Sequence, residues 1–240
     1  MALCAGLTVA LTACGEDPDA GTNGVGKLSA VEIETKARAA ADAASSVRLS
    51  GTLVSKGGTY KLNMRLKHDG GTGSVTSKDN TFELLRVGNV LYLKADAGFW
   101  SHADGKGEQK PSKTDAEVAG KLAAKYVKVP EGDPAYKQFR GFTDMDVLLD
   151  GLLGMQGELS KGDRTQVGGV RTIKVRAGEG AGGTLDVSLE GKPFPLQFAR
   201  AGGAGVLTLG DWDKDFALAA PSKGETVDYG RALPKTSDDD

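Results

Sequence analysis

Apolar and polar residues alternate along two long blocks of this chain, as is typical of strands with one buried and one solvated face. The first block starts near Val47, and the second fills most of the chain after residue 157. Turn residues separate the runs, which predicts hairpins and therefore antiparallel pairing. The predicted strands are Tyr60–Lys67, Gly73–Ser77, Thr81–Val87, Asn89–Ala95, Glu158–Asp163, Gly169–Ala177, Thr184–Glu190, Pro195–Ala201 and Gly205–Asp211.

Helical signals precede the first block and lie between the two. The segments Ser29–Glu32 and Thr114–Glu117 are capping boxes, in which two side chains satisfy free main-chain amides at a helix start. They predict helices over about Ala30–Ala44 and from Thr114 to about Lys125. A third short helix is predicted over Pro134–Phe142.

The segment Thr143–Leu153 predicts the most apolar helix of the chain, ending before Gly154. One face of it carries only long apolar side chains, so that face must be dry. It is either ordinary core or one wall of an apolar cavity. The four residues on this face are Met145, Leu148, Leu149 and Leu152.

The order of elements is helix, strands, helices, strands. Each strand block has one apolar face that needs cover, and the helices are the available cover. We therefore expect an α+β fold with a single large, curved antiparallel sheet capped by helices, in one domain over residues 28–234. Two separate α+β halves are the alternative, although no linker divides them.

The N-terminus carries a targeting pattern. An apolar run, Ala2–Val9, precedes Leu11-Thr12-Ala13-Cys14, which resembles the lipobox of bacterial lipoproteins. The resemblance implies that residues 1–13 are a removed signal peptide and that the sulfur of Cys14 carries a diacylglycerol. No Lys or Arg precedes the apolar run, so we expect either a truncated positive n-region or a true start that lies upstream. The alternative is a buried apolar N-terminal strand.

The segment Gly15–Lys27 is rich in turn residues and lacks apolar periodicity, which predicts a flexible tether after Cys14. Residues 235–240 form a polar tail. No later apolar run reaches the ~20 residues of a membrane helix, so the lipid on Cys14 is the expected membrane attachment. The expected location is extracytoplasmic, on the outer face of the cell membrane.

Composition excludes several classes of function. The net charge is -2, with 30 basic residues interspersed among 32 acidic ones, so no basic nucleic-acid footprint is present. The two cysteines, Cys4 and Cys14, both belong to the N-terminal segment. The rest of the chain therefore has no disulfide and no cysteine metal site.

Two glycine motifs resemble nucleotide-binding loops. Gly178–Gly183 matches G-x-G-x-x-G, but a strand pattern rather than a helix follows it, which favours a hairpin turn. Gly21–Lys27 matches G-x-x-x-x-G-K, but Leu28 stands where a phosphate loop needs Ser or Thr for Mg²⁺. Neither motif predicts a cofactor site.

The titratable candidates are also better explained without catalysis. The alternating aspartates after residue 210 lack the turn glycine and distal Glu of a Ca²⁺ loop, and the pair near residue 145 suits a helix start. The two histidines lack nucleophile or metal partners. We predict neither catalytic nor metal-binding residues among Asp144, Asp146, Asp211, Asp213, Asp215, His68 and His102.

Two tryptophans and a lysine cluster remain. Trp100 and Trp212 are more typical of a core or rim than of a ligand platform. The polar loop over residues 101–113 carries Lys106, Lys110 and Lys113, which could meet anionic head groups. Solvated loop charge is the favoured interpretation.

Three short segments, Val87–Lys94, Phe99-Trp100 and Lys125–Val129, together with the element order and the lipobox, resemble actinobacterial lipoproteins of the LppX/LprG/LprA type. The resemblance implies a half-open β-barrel similar to the LolA/LolB lipoprotein carriers, with helices over its concave face. It also implies an apolar cavity for acyl chains of a lipid or lipoglycan, and no enzymatic activity or cofactor.

On this basis we expect a monomeric envelope lipoprotein that binds or transports a lipid or lipoglycan. Its own lipid anchor on Cys14 is expected to include palmitate. The alternative is a non-enzymatic lipoprotein that docks another envelope protein and has no cavity. The expected cavity lining is Leu62, Met64, Leu84, Leu93, Met145, Leu148, Leu149, Leu152, Val175, Val187 and Phe198.

Overall fold

The computed structural model describes residues 19–55, 58–77, 80–101, 113–123 and 125–228. Its helices are α1 (Ala30–Asp42), α2 (Ala97–Ser101), α3 (Lys113–Ala123), α4 (Pro134–Thr143) and α5 (Met145–Leu152). Its strands are β1 (Ser46–Ser55), β2 (Gly58–Lys67), β3 (Gly70–Ser77), β4 (Asn80–Val87), β5 (Val90–Ala95), β6 (Tyr126–Val129), β7 (Leu159–Val167), β8 (Val170–Ala177), β9 (Thr184–Ser188), β10 (Pro195–Ala199), β11 (Gly205–Gly210) and β12 (Thr226–Asp228).

All these strands form one sheet in the order β12-β6-β5-β4-β3-β2-β1-β11-β10-β9-β8-β7. Neighbouring strands are antiparallel except β12 and β6, which run parallel. The pairing of β1 with β11 joins the two strand blocks, with Leu49 opposite Leu209. The predicted single α+β sheet is therefore confirmed, and the alternative of two separate halves is wrong.

The helices cover the concave face of this open, curved sheet. Helix α1 packs on β7 to β10, α3 on β5, and α4 on β2 to β4. The capping box of Ser29 and Glu32 starts α1 as predicted. Its buried side is made of Ala30, Ile33, Ala37 and Ala41, and these mostly small residues let the helix lie close to the strands. Helices and sheet share one hydrophobic core.

Several boundaries differ from those predicted. Helix α3 starts at Lys113 and ends at Ala123, so Thr114 lies within its first turn and the helix ends earlier than expected. Strand β6 follows and pairs with β5. Strand β7 runs on to Val167 through a register shift after Lys161. The short elements α2, β6 and β12 were not predicted from the sequence.

The part of the predicted tether that the structure describes, residues 19–27, is bound to the sheet. The side-chain amide of Asn23 donates to the main-chain oxygens of Ser188 and Gly191, at 3.0 and 3.1 Å. The guanidinium of Arg164 donates to Asp19 at 2.7 Å, and Val25 is buried. The sequence predicts a flexible tether here because the segment is held mainly by hydrogen bonds, and these leave no apolar pattern in the sequence.

Several of the sequence predictions fall outside the described residues. These are the signal peptide, the lipidation of Cys14, His102, Lys106 and Lys110. Among the helices that the structure describes, none has both the length and the apolar character to span a bilayer.

Candidate functional site

The residues expected to line a cavity all lie in the core between sheet and helices. They come from β2, β4, β5, α5, β8, β9 and β10, and none exposes more than 7% of its surface. All belong to a single hydrophobic cluster. The full set is Leu62, Met64, Leu84, Leu93, Met145, Leu148, Leu149, Leu152, Val175, Val187 and Phe198.

These side chains are packed against protein atoms rather than against an open space. A void wide enough for an acyl chain would leave its lining with accessible surface, and this lining has almost none. The structure therefore shows a packed core at these residues rather than an open cavity.

Helix α5 packs mainly against another helix, α4, rather than against a strand. Asp144 caps its start by accepting a hydrogen bond from the Val147 amide at 3.3 Å. Within the described part of the chain, its backbone lies close to α4 and farther from every strand. Its buried side chains Met145, Leu148, Leu149 and Leu152 belong to the hydrophobic core that the helices and the sheet share.

Polar contacts hold both ends of α5. At its C-terminal end, the guanidinium of Arg38 on α1 donates to the main-chain oxygen of Leu153. At its N-terminal end, the α4–α5 junction is held by Arg86 of β4, described below. Helix α5 thus connects the helices that cover the two strand blocks.

Helix α4, in contrast, is fixed by aromatic contacts. The ring of Phe139 meets Phe82 of β4 edge-on at 5.3 Å, and Phe142 packs on Tyr60 of β2 at 5.7 Å. The hydroxyl of Tyr136 donates to the Asn89 main-chain oxygen at 2.7 Å. The rings therefore hold α4 against the strands along its length, whereas the polar contacts that hold α5 lie at its two ends.

Arg86 anchors this junction, which we define as Thr143 and Asp144. Its Nη2 and Nε donate to the Thr143 main-chain oxygen at 2.9 and 3.3 Å, and its Nη1 donates to the Gly88 oxygen at 2.8 Å. The carboxylate of Asp144 lies 3.8 Å from Nη2. Burial lowers the pKa of Arg86 from its usual value, and the charge of Asp144 opposes that shift.

Gly71 makes room for the same junction. It lies directly opposite Arg86 in the pairing of β3 with β4. A Cβ at this position would come within 3.0 Å of the Thr143 oxygen and 2.6 Å of a methyl group of Leu66. Neither Gly71 nor Arg86 was predicted from the sequence to be a site residue. The available signal was a charged side chain on the apolar face of a predicted strand.

The titratable candidates have structural partners. Asp213 accepts from Lys192 at 2.7 Å and from the Ser45 amide at 2.8 Å, and these bonds lower its pKa. Asp211 pairs with Lys214, whose hydrogen bond lowers the pKa of Asp211. The described residues contain no cluster of three potential metal ligands.

The remaining candidates also have structural roles. Asp146 lies in the first turn of α5 and meets His68 at 3.1 Å. Trp100 is buried, and Trp212 stacks on Phe194 at 4.8 Å between ring centroids. The motif Gly178–Gly183 is the turn between antiparallel strands β8 and β9, as predicted.

A surface cleft lies at the β5–β6–β12 edge of the sheet, away from the expected cavity lining. This cleft has a volume of about 280 Å³, and its lining is partly charged. None of the expected cavity residues lines it. Its lining is Asn89, Val90, Lys128, Val129, Pro130, Glu131 and Asp228.

Comparison with known proteins identifies the fold. No family model and no curated protein matches this sequence. The crystal structure of LprF from Mycobacterium bovis matches with a TM-score of 0.54 at 16% identity, over 80% of this chain and 97% of LprF. The crystal structure of the Mycobacterium tuberculosis lipoprotein LppX gives a TM-score of 0.46 at 12% identity, over 79% of this chain and 98% of LppX. The likeness to LprF confirms the fold expected from the sequence resemblance.

Proposed function

We propose that this protein is a cell-envelope lipoprotein that binds or transports a lipid or lipoglycan, with the acyl chains buried between the sheet and α5. The observation that carries the proposal is the attachment of α5. Polar contacts hold its ends, and its buried face adds only long apolar side chains to the core it shares with the strands. Acyl chains can take the place of these side chains over the sheet without exposing it to water.

Binding is driven by removal of acyl chains from water. Each buried CH₂ group contributes about 0.8 kcal/mol, so a long chain offsets the loss of several hydrogen bonds at the ends of α5. The residues of the closed lining become the surface that contacts the ligand. The protein acts as a monomer without catalysis or a cofactor.

The same proposal includes a lipid anchor on Cys14, and the structure limits its reach. Asp19 is already bound to Arg164 of β7. Five Cα–Cα steps separate Cys14 from Asp19, and they span at most roughly 18 Å. The sheet edge that Asn23 contacts, at the end of β9 near Ser188, is therefore held near the bilayer.

Native mass spectrometry tests the binding proposal. The variant Cys14→Ser removes the covalent lipid, so any acyl chain found with the protein is a bound ligand. We expect the variant purified from an actinobacterial host to retain lipid, and the stripped protein to take up labelled lipid. A folded variant that is free of lipid and takes none up contradicts the proposal.

The packed core also favours a second candidate, a lipoprotein that docks another envelope protein. The expected lining residues have almost no accessible surface, as a module without a ligand requires. The same uptake measurement separates the two functions. A docking module takes up no lipid, and hydrogen exchange in α5 does not respond to added lipid.

A further inference from the structure

Arg86 is an unusual residue for its position. Phe82, Leu84 and Arg86 point to the same side of β4, and that side faces the core. Arg86 exposes only 4% of its surface, and it is the only cation among the buried residues that the structure describes. A buried charge is expensive unless it is paired, so its position requires an explanation beyond packing.

The partners of Arg86 in the closed structure compensate its charge incompletely. Three of its five N–H groups donate, and both acceptors are neutral main-chain oxygens, those of Thr143 and Gly88. The Asp144 carboxylate forms only a long ion pair with Arg86, 3.8 Å from Oδ2 to Nη2, and Arg140 approaches the same Oδ2 at 3.6 Å. The acceptor that takes two of the three bonds thus belongs to the junction between α4 and α5.

We propose that Arg86 binds the phosphate of a lipid head group when α5 moves away. This inference rests on the proposed function. When the junction moves outward with α5, the Thr143 oxygen and the Asp144 carboxylate leave Arg86, and its planar guanidinium keeps only the Gly88 oxygen as a hydrogen-bond acceptor. A phosphate restores the lost hydrogen bonds with two parallel N–H···O contacts and adds the missing negative charge.

The location of Arg86 fits an amphipathic ligand. It lies one residue before the end of β4, whereas Leu84 and Phe82 lie deeper on the same face. The strand register places this end of β4 on the same sheet edge as the N-terminal end of β1 and the C-terminal end of β9, where Asn23 is bound. A head group at Arg86 would therefore face the bilayer, with the acyl chains extending inward.

The test compares two ligands with identical acyl chains, a short-chain phosphatidic acid and the matching diacylglycerol. We expect the Cys14→Ser protein, in which Arg86 is intact, to bind phosphatidic acid at least about tenfold more tightly than diacylglycerol. This is the effect of one pair of charge-assisted hydrogen bonds. Arg86→Gln should abolish this ratio. The ratio of the two affinities reports on the head group alone, because the free energy needed to move α5 is the same for both ligands.

Two variants and one small anion complete the experiment. Arg140→Gln removes an exposed arginine 3.6 Å from the same Asp144 and should keep the ratio. Arg86→Lys keeps the charge without the planar fork and should reduce the ratio, which covers the case of an unstable Gln variant. Inorganic phosphate alone should not bind, because only acyl chains open the site.

The outcomes are distinguishable. An unchanged ratio in the Arg86 variants, or tight binding of inorganic phosphate, overturns the role of Arg86 and leaves the proposed function intact. If the Cys14→Ser protein binds neither phosphatidic acid nor diacylglycerol, the role of Arg86 and the proposed function are both overturned. Loss of the ratio in the Arg86 variants, with diacylglycerol binding preserved, supports the assignment.

Discussion

Gly71 and Arg86 lie directly opposite each other in β3 and β4, and both meet the same atom, the main-chain oxygen of Thr143. Arg86 donates to this oxygen, and the absent side chain of Gly71 lets it approach the sheet. The α4–α5 junction is therefore fitted into a notch between two paired residues. The position of the junction against the sheet depends on this notch.

The first prediction concerns the space at Gly71. The change Gly71→Ala places a methyl group 2.6 Å from Leu66 and 3.0 Å from the Thr143 oxygen, so the junction must shift. We expect a loss of about 1–3 kcal/mol in the free energy of unfolding, the usual effect of overpacking. Urea denaturation measures it.

A matched control is available within α4. A methyl group added at Gly141 would meet no atom of a neighbouring element within 4 Å, so Gly141→Ala should be stabilising by about 0.5–1 kcal/mol through helix propensity. If Gly71→Ala is not destabilised while Gly141→Ala behaves as expected, the close approach of the junction to Gly71 is contradicted.

The second prediction concerns the cap of α5. Asp144→Ala removes the acceptor of the Val147 amide and a charge near Arg86. We expect a loss of about 1–2 kcal/mol, with faster hydrogen exchange in α5 than in α4. Asp146→Ala is the control, since it removes a carboxylate from the same turn without removing the cap. Equal effects of the two variants would argue against a specific role for the cap.

The third prediction concerns pH. Lys192 and the Ser45 amide bind the carboxylate of Asp213 and lower its pKa in the folded state. Its contribution to stability is therefore present above the usual carboxyl pKa and is lost as pH falls through the lowered value. Asp213→Asn should destabilise by at most about 1 kcal/mol at a pH of about 6, because the ion pair is partly exposed.

The same stability difference should begin to shrink below a pH of about 4, where the Asp213 carboxylate of the unfolded chain takes up a proton, and should be lost as pH falls through the lowered pKa of the folded state. Asparagine is the suitable replacement because Asp213 has a φ of 59°, which Asn also tolerates. Urea denaturation of both proteins between about pH 3 and pH 6 measures the difference. A gap that stays constant over this range would refute the assigned ion pair.

The fourth prediction concerns orientation on the membrane. His68→Cys places a label in the turn between β2 and β3, at the edge that Asn23 contacts, and Glu158→Cys places one at the opposite edge, before β7. A strand of about eight residues separates the two edges by roughly 26 Å. In lipid-anchored protein, head-group quenchers should therefore quench the first label more strongly. Equal quenching would contradict the short tether.

Local signals in the sequence were sufficient to predict much of the fold. The capping box at Ser29 and the apolar stripe of α5 depend on neighbours within a few residues, and both are confirmed. Strand β12 was missed because it has only three residues and its pairing begins with Thr226 opposite Tyr126, far away in the chain. Pairing at that distance leaves no periodic pattern in so short a segment.

The candidate site was only partly predictable for the same reason. Its apolar lining follows from alternation, but the notch at Gly71 and Arg86 depends on the approach of Thr143, which lies 57 residues after Arg86. Likewise, Asn23 is bound through hydrogen bonds to residues 165 and 168 positions away. Polar contacts of this kind have no signature in hydropathy, so the segment was predicted to be a tether.

Photo-crosslinking tests the central claim, that acyl chains enter between the sheet and α5. The Cys14→Ser protein is incubated with a lipid that carries a diazirine near the end of one acyl chain, irradiated and mapped by peptide mass spectrometry. We predict crosslinks on the buried face of α5 and on the strands beneath it, at residues such as Leu148, Leu84 and Phe198. Crosslinks confined to exposed residues, or none on a folded protein, would contradict the account.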